Sequence, residues 1–410
     1  MTSPGANTPF VAIACGGTGG HLFPGLAVAE QLQKRGCAMA LLVSPKDVDQ
    51  EAVKSARGME IVTLPAVGLQ NRNYFSFAGS FVKSLFATRK IFRKRRPAAV
   101  LAMGGFTSAP PIWVGKDFGA KTFLHESNTV PGRANRFLAR FVDEAFVGFP
   151  QAASRLRARK VTTTGTPVRP QFQLRDPATC RIALGLDPNR PTLLVMGGSQ
   201  GASGINELVV KLLPLLAERV PQLQLFHLAG PKDADKIRQA AAAHNVRAIV
   251  HSFFAEMELA LGAATVAISR AGASSLAEIA AMRVPSVLIP FPAAADNHQF
   301  FNARAFEETG AAHSYEQKRV PPGKTESLIL KMLAGLILKL IENAGAREKM
   351  QTALAQWHAP KAAEQIAEIM LAAIFRSADS RVRADESLRE TRGQGCPRSD
   401  AVERQNFSAV

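Results

Sequence analysis

One local pattern constrains this chain more than any other. A short, wholly apolar run stops at paired glycines and gives way to an apolar helical period. Residues 10–15 (FVAIAC) run into Gly16–Gly20, and Leu22, Leu26, Ala29 and Leu32 then recur at helical spacing until Gly36. Residues 192–196 (TLLVM) run into Gly197 and Gly198, followed by Ile205, Leu208, Val209, Leu212 and Leu216. A strand with no polar alternation is buried on both faces, which is the habit of parallel sheets covered by helices. A third run, Ala98–Met103, ends at Gly104-Gly105. A start that recurs about 180 residues later predicts two successive α/β domains, each a doubly wound parallel sheet.

The chain has 410 residues, more than one hydrophobic core usually organises, which agrees with two domains. Pro167 and Pro170 interrupt regular structure in 165–175 (GTPVRPQFQLR), so the boundary is placed there, with domains at 1–164 and 165–360. Further strands are expected at 223–228, 248–250, 266–268 and 286–290. Beyond residue 376 large apolar residues nearly vanish, and the tail 376–410 is expected to be disordered.

The four cysteines lie far apart with no C-x-x-C pair, which excludes a disulfide framework and a thiolate zinc site. Leu328–Ile341 is broken by Lys331 and Lys339 and is too short to span a bilayer. Phe10–Cys15 ends in a glycine loop rather than a cleavage site, so a cytoplasmic chain is expected. The net charge of +17 is uneven: residues 1–164 hold 22 Lys/Arg against 9 Asp/Glu, and the remainder 28 against 24. The first half therefore faces something anionic: a nucleic acid, a phosphorylated substrate or a membrane surface.

Several segments carry candidate chemistry. GGTGGH (16–21) links a strand to a helix, where glycines let backbone N–H groups approach an anion; packing alone is the bland alternative. It lacks the third glycine of the dinucleotide fingerprint and the Lys-Ser/Thr of a P-loop. His21 on that turn is either a capping residue or a general base, since imidazole ordinarily titrates near 6.5. Ser199, in 196–204, offers a hydroxyl beside backbone amides at the second such loop. Glu278, at the end of 269–280 (SRAGASSLAEIA), is suited to accept both hydroxyls of a ribose, or only to complement a helix dipole. Asp296, Asn297, His298 and Gln299 suit sugar hydroxyls or a solvated loop. Residues 72–96 hold eight basic residues, no acidic one, and Phe75, Phe77, Phe81, Phe86 and Phe92. Such a helix either inserts into an anionic lipid surface or packs its rings in the core beneath a solvated charged face.

Taken in order, GGTGGH (16–21), MGGF (103–106), HESN (125–128), GTPVR (165–169), GGSQG (197–201), SRAGASSLAEIA (269–280) and DNHQ (296–299) resemble one family. It is the family 28 glycosyltransferases that add N-acetylglucosamine to the lipid-linked muramyl-pentapeptide of bacterial peptidoglycan (the MurG family). The resemblance spans about residues 10–375. Ser127 and Thr166 depart from its usual HEQN and GNPVR. It implies a GT-B fold, two Rossmann-like domains about a cleft, with a last helix near 361–375 crossing back to the first domain. It also implies UDP-GlcNAc as donor and undecaprenyl-pyrophosphoryl-MurNAc-pentapeptide as acceptor, with no cofactor and no metal. Donor contacts would come from Thr18, Gly19, Gly20, Asn128, Arg169, Ser199, the backbone near Phe254, Ala273, Ser274, Ser275, Leu276, Ala277, Glu278 and Gln299. His21 is the first candidate base and Glu126 the second. The phenylalanine-rich segment corresponds to a membrane patch (Phe75, Phe77, Phe81, Phe86). The resemblance thus implies a peripheral position on the cytoplasmic face of the inner membrane, with other cell-wall synthesis proteins as partners and no nucleic acid. A UDP-sugar epimerase, a non-catalytic nucleotide-sugar scaffold and a nucleic-acid-binding protein are the competing classes.

Overall fold

The computed structural model describes residues 8–16, 19–45, 58–65, 74–197, 203–317 and 326–393. The first sheet is wholly parallel and built from β1 (Phe10–Ala14), β2 (Ala38–Val43), β3 (Glu60–Thr63), β4 (Ala99–Ala102), β5 (Lys121–Glu126), β6 (Glu144–Val147) and β7 (Val161–Thr163). Its strand order is β3-β2-β1-β4-β5-β6-β7. The second sheet holds β8 (Thr192–Met196), β9 (Gln224–Leu228), β10 (Arg247–His251), β11 (Val266–Ser269), β12 (Ser286–Leu288) and β13 (His313–Ser314), in the order β10-β9-β8-β11-β12-β13. Both sheets therefore reverse direction beside their first strand, between β1 and β4 and between β8 and β11. In open α/β sheets a crevice opens at that reversal, outside the carboxyl ends of the strands. The two apolar runs singled out in the sequence are these two first strands, and every residue in both is buried.

The first domain carries helices α1 (Gly19–Lys34), α2 (Tyr74–Lys94), α3 (Ala109–Asp117), α4 (Arg133–Leu138) and α5 (Pro150–Ala153). The second begins with α6 (Pro177–Ala183) and continues through α7 (Ser203–Arg219), α8 (Ala234–Ala243), α9 (Met257–Ala263), α10 (Ala273–Met282) and α11 (His298–Glu308). α12 (Glu326–Glu342), α13 (Ala344–Trp357) and α14 (Ala362–Gly393) complete the chain. No helix among the described residues is long and apolar enough to cross a membrane.

Three features lock the domains together. Gly165 in the linker has φ +80°, a left-handed backbone that a side chain resists, and a methyl there would fall on Ala359 Cβ. Phe149, from the first domain, enters the second domain's core and meets Phe306 and Trp357, whose rings stack at 4.6 Å. α14 then returns to the first domain and buries Ile366, Ala367 and Met370 against the α1 side of its sheet, while Arg35 pairs with Glu364 and Glu368 at 2.9 and 3.3 Å.

α14 corrects one expectation. It runs to Gly393, so residues 376–393 are helical where disorder was expected. Alanine, arginine, glutamate and leucine have high helix propensity, and the packed first half supplies the costly nucleus. Sparse apolar content argued against burial and not against helix. Residues 394–410 lie outside the described part.

Candidate active site in the interdomain cleft

A cavity of about 1000 Å³ lies between the two domains where both sheets reverse. Gly20, His21, Glu126, Asn128, Arg169, Phe254, Ala273, Ser274, Ser275, Glu278 and Gln299 line it, joining five separated motifs with Phe254 from outside them. Leu276 is fully buried in the core and neither it nor Ala277 is on the cavity wall. The helical repeat explains this: Ser274, Ser275 and Glu278 share one face of α10, whereas Leu276 points to the opposite one. Thr18 and Ser199 lie outside the described residues.

His21 sits in the first turn of α1 beside the Gly104-Gly105 turn. Both glycines have positive φ, and a Cβ on Gly104 would lie 2.9 Å from His21 Nε2. The MGGF glycines thus keep room for the imidazole.

Glu126, the other candidate base, is committed elsewhere. Its Oε1 accepts from Asn128 N (2.9 Å) and Asn128 Nδ2 (3.0 Å), and its Oε2 from Gly132 N (3.0 Å) and Asn135 Nδ2 (2.8 Å). A carboxylate holding four donors fixes the loop that carries Asn128. His125, one residue earlier, is fully buried, and burial pushes its imidazole down to about 4. The Gly165 carbonyl accepts from its Nε2–H at 3.1 Å, so Nδ1 accepts the Ser127 hydroxyl at 3.2 Å. This neutral ring ties β5 to the linker. The serine that departs from the family motif keeps a partner for Nδ1.

Glu278 lies deep on the opposite wall. Burial raises its carboxyl to about 7 against a usual 4.5; the nearby Arg169 opposes that rise and Glu258 adds to it. Arg169 is held between aromatic faces, its guanidinium carbon 4.3 Å from the Phe23 ring centre and 5.1 Å from that of Phe172. Phe23 belongs to α1, so Arg169 spans the domains. Gln299 Oε1 accepts from Phe291 N at 3.0 Å, which fixes its amide plane. Phe254 packs edge-on against Phe226 and beside His251, both centroids at 5.2 Å.

Sequence reasoning missed the residue that joins the walls. Asn302 on α11 is fully buried. Its Oδ1 accepts from Thr129 N and Oγ1, each at 2.9 Å, and its Nδ2 donates to Asn128 Oδ1 (3.0 Å) and Ala271 O (3.1 Å). The visible signal was an asparagine inside the apolar run Phe300–Ala303. Ser274 Oγ also donates across the cleft to Gly20 O at 2.9 Å. At the mouth, Arg133 and Arg136 reach Asp296, whose carboxyl the Arg133 hydrogen bond holds below the usual range. Two Asp-x-Asp pairs occur in the sequence, at Asp47-x-Asp49 and Asp233-x-Asp235. Asp47-x-Asp49 lies outside the described residues, Asp233 accepts from Asn206 behind β8, and Asp235 pairs with Arg238.

Two facing Rossmann-like domains with a cleft at their switch points make a GT-B fold. The glycosyltransferase family 28 N-terminal domain matches residues 11–147 and its C-terminal domain residues 192–366. A UDP-N-acetylglucosamine–N-acetylmuramyl-(pentapeptide) pyrophosphoryl-undecaprenol N-acetylglucosamine transferase of Anaeromyxobacter sp. (strain Fw109-5) is 34% identical over 87% of this chain and 91% of its own. The enzyme of the same name from Stutzerimonas stutzeri (strain A1501) is 35% identical over 88% and 98%. The Acinetobacter baumannii MurG crystal structure aligns with a TM-score of 0.69 at 25% identity, covering 89% of this chain and 99% of that one. A UDP-N-acetylglucosamine 2-epimerase shares the fold alone, with a TM-score of 0.63 at 12% identity. The chain belongs to glycosyltransferase family 28, in its MurG branch.

Two outcomes test this geometry. Asn302→Ala strands buried donors and acceptors on both domains, and chemical denaturation is expected to show a loss of about 2–4 kcal/mol, with a looser scattering profile. For Glu278 the sign follows from its raised pKa. The folded state holds the proton more tightly, so the stabilisation is full below 4.5 and is lost as pH rises through about 7. Glu278→Gln is therefore expected to be more stable than the wild type at pH 8, by about 1–2 kcal/mol after allowance for partial exposure, with the gap closing toward pH 5. A gap independent of pH would rule out this role for the carboxyl.

Proposed function

We propose that this chain transfers N-acetylglucosamine from UDP-GlcNAc to the 4-hydroxyl of the muramyl sugar of undecaprenyl-pyrophosphoryl-MurNAc-pentapeptide, with inversion at the anomeric carbon. The observation that carries this reading is the single cleft joining His21 on one domain to Arg169, Ser274, Ser275, Glu278 and Gln299 on the other. The names of the relatives above supply the donor and acceptor.

In the mechanism, Glu278 accepts the ribose hydroxyls. Its ionisation is opposed by burial, so donor hydrogen bonds replace the water it lost on folding. The backbone beside Phe254 holds the uracil, with the rings of Phe226 and His251 packed against Phe254 as support. Arg169, pre-set on Phe23, and the helix start at Ala273 face the diphosphate and stabilise the leaving UDP. Asn128, oriented by Glu126 and Asn302, and Gln299 hold the transferred sugar. The acceptor hydroxyl attacks the anomeric carbon from the first-domain side as the bond to UDP breaks. His21 takes its proton. Glu126 positions Asn128 and takes no proton. Thr18, Gly19, Gly20 and Ser199 complete the phosphate loops in this reading.

The chain docks peripherally on the anionic cytoplasmic face of the inner membrane, beside other cell-wall synthesis proteins. Its contact surface is one face of α2, and here the sequence expectation is narrowed. Ser84, Thr88 and Phe92 are buried, and Phe81 is half-buried, edge-on to Trp113 at 5.4 Å with Phe77 against it. Phe81 and Phe77 therefore belong largely to the core. Val82 and Phe86, 47% and 70% exposed, form the outward stripe beside Lys83 and Lys90. The side chain of Phe75 lies outside the described residues.

The deciding assay supplies labelled UDP-GlcNAc and a short-chain analogue of the acceptor. Label in the lipid product with UDP release is expected, and donor binding without transfer would refute the acceptor assignment. His21→Ala is expected to lower kcat by about 10²–10⁴ with donor Kd nearly unchanged. Val82→Ser/Phe86→Ser is expected to weaken binding to anionic vesicles while sparing UDP affinity. Undiminished vesicle binding by that folded variant would refute the docking surface.

A further inference from the structure

Two arginines at the cleft mouth are given no role in the reading above. Arg133 and Arg136 on α4 converge on one carboxylate, Asp296, at 3.2 and 2.8 Å. Two guanidinium charges against one carboxylate leave a net positive site with N–H donors to spare. The Arg133 side chain is 78% exposed, so solvent and ligands reach it directly. Asp296 comes from the opposite domain, in a turn where it and Asn297 both have left-handed backbones (φ 49° and 53°). A strained turn thus presents an anion to the arginine pair.

The placement of this pair is informative. Phe86 and Val82 lie outermost on α2; Phe81 on the same helix meets Trp113, and Trp113 meets Phe137, 45% exposed, at 6.0 Å. Phe137 is on α4 next to Arg136. Arg133 lies on the cavity wall with Gly132 and Ala134, and His21 is deeper in the same cavity. An apolar, basic helix, an aromatic link and two arginines thus precede the proposed base, joined by the half-buried rings of Phe81 and Trp113. A lipid-linked acceptor carries the same sequence of chemistries: hydrocarbon, diphosphate, sugar.

We propose that Arg133 and Arg136 bind the diphosphate of the lipid-linked acceptor, and that Asp296 occupies their site until the acceptor arrives. This rests on the transferase reading for its ligand. Arginine suits the task because its planar fork meets phosphate oxygens two at a time. An exposed ion pair with a protein carboxylate is worth little, so a doubly charged diphosphate displaces it readily.

The test titrates the full-length chain, without vesicles, with a short-chain polyprenyl diphosphate lacking the sugar. Arg133→Gln/Arg136→Gln is expected to weaken this binding about tenfold or more and to raise the acceptor KM similarly, while UDP affinity changes less than about twofold. Asp296→Asn keeps a residue type that tolerates the left-handed turn and removes the competing charge, so it is expected to tighten the probe about two- to fivefold. Unchanged probe binding in a double variant with a native circular dichroism spectrum overturns the proposal. An equal loss of UDP affinity overturns it too, by assigning the pair to domain closure or the donor. A loss confined to vesicle binding, with the probe still bound, assigns the arginines to the membrane face and also overturns it. A wild-type chain that binds the probe but transfers no sugar refutes the transferase reading and leaves the subsite supported.

Discussion

The buried amide of Asn302 is the contact on which the cleft depends. It is a single side chain whose four hydrogen bonds are divided between the two domains: Thr129 and Asn128 on one side, Ala271 on the other. An amide buried this completely is costly unless every donor and acceptor is met, and meeting them requires the domains to be closed. Closure in turn fixes Asn128, whose own amide is shared with Glu126. The cleft surface of the first domain is therefore set in part by a residue of the second, which holds the Asn128 amide oxygen while Glu126 holds its nitrogen.

The same division of labour explains why two acidic residues in the cleft behave differently. Glu126 accepts four donors and stays fixed, whereas Glu278 is buried with little to compensate it and is driven to about 7. One carboxylate is structural because its partners are in the protein. The other is pushed up because burial outweighs the nearby Arg169. Stability is given up at Glu278, and the interdomain hydrogen bonds and aromatic stack offset it.

How much of this was legible in the sequence depended on the range of the interaction. Strands buried on both faces announce themselves locally, so β1, β4, β8 and β11 fell close to where they were expected. Switch-point loops are equally local, because glycine must stand where backbone or imidazole comes close, as at Gly104 against His21. The role of Glu126 was not legible: a glutamate next to a histidine signals catalysis or structure equally, and only the fold brings Gly132 and Asn135 round to it. Asn302 and Asp296 contact residues more than 150 positions away, and no periodicity encodes that. On α14, sparse large apolar residues limit burial without limiting helicity, so the helix continues to Gly393 past its packed first half.

Helix α2 shows why composition alone could not choose between core and membrane. The segment carries enough phenylalanine for both, and the helical repeat sorts them: Phe81, Leu85 and Phe92 turn toward Trp113 and the sheet, while Val82 and Phe86 turn away. The basic residues Lys83, Arg89, Lys90, Arg93 and Lys94 of α2 are all exposed. Screening limits the reach of such charge to roughly 10 Å, and within that reach it attracts any anion without selecting one. At contact, geometry selects. At the cleft mouth Arg133 and Arg136 meet the Asp296 carboxylate at hydrogen-bond distance, where attraction depends on how a planar guanidinium fork fits its oxygens and no longer on net charge alone.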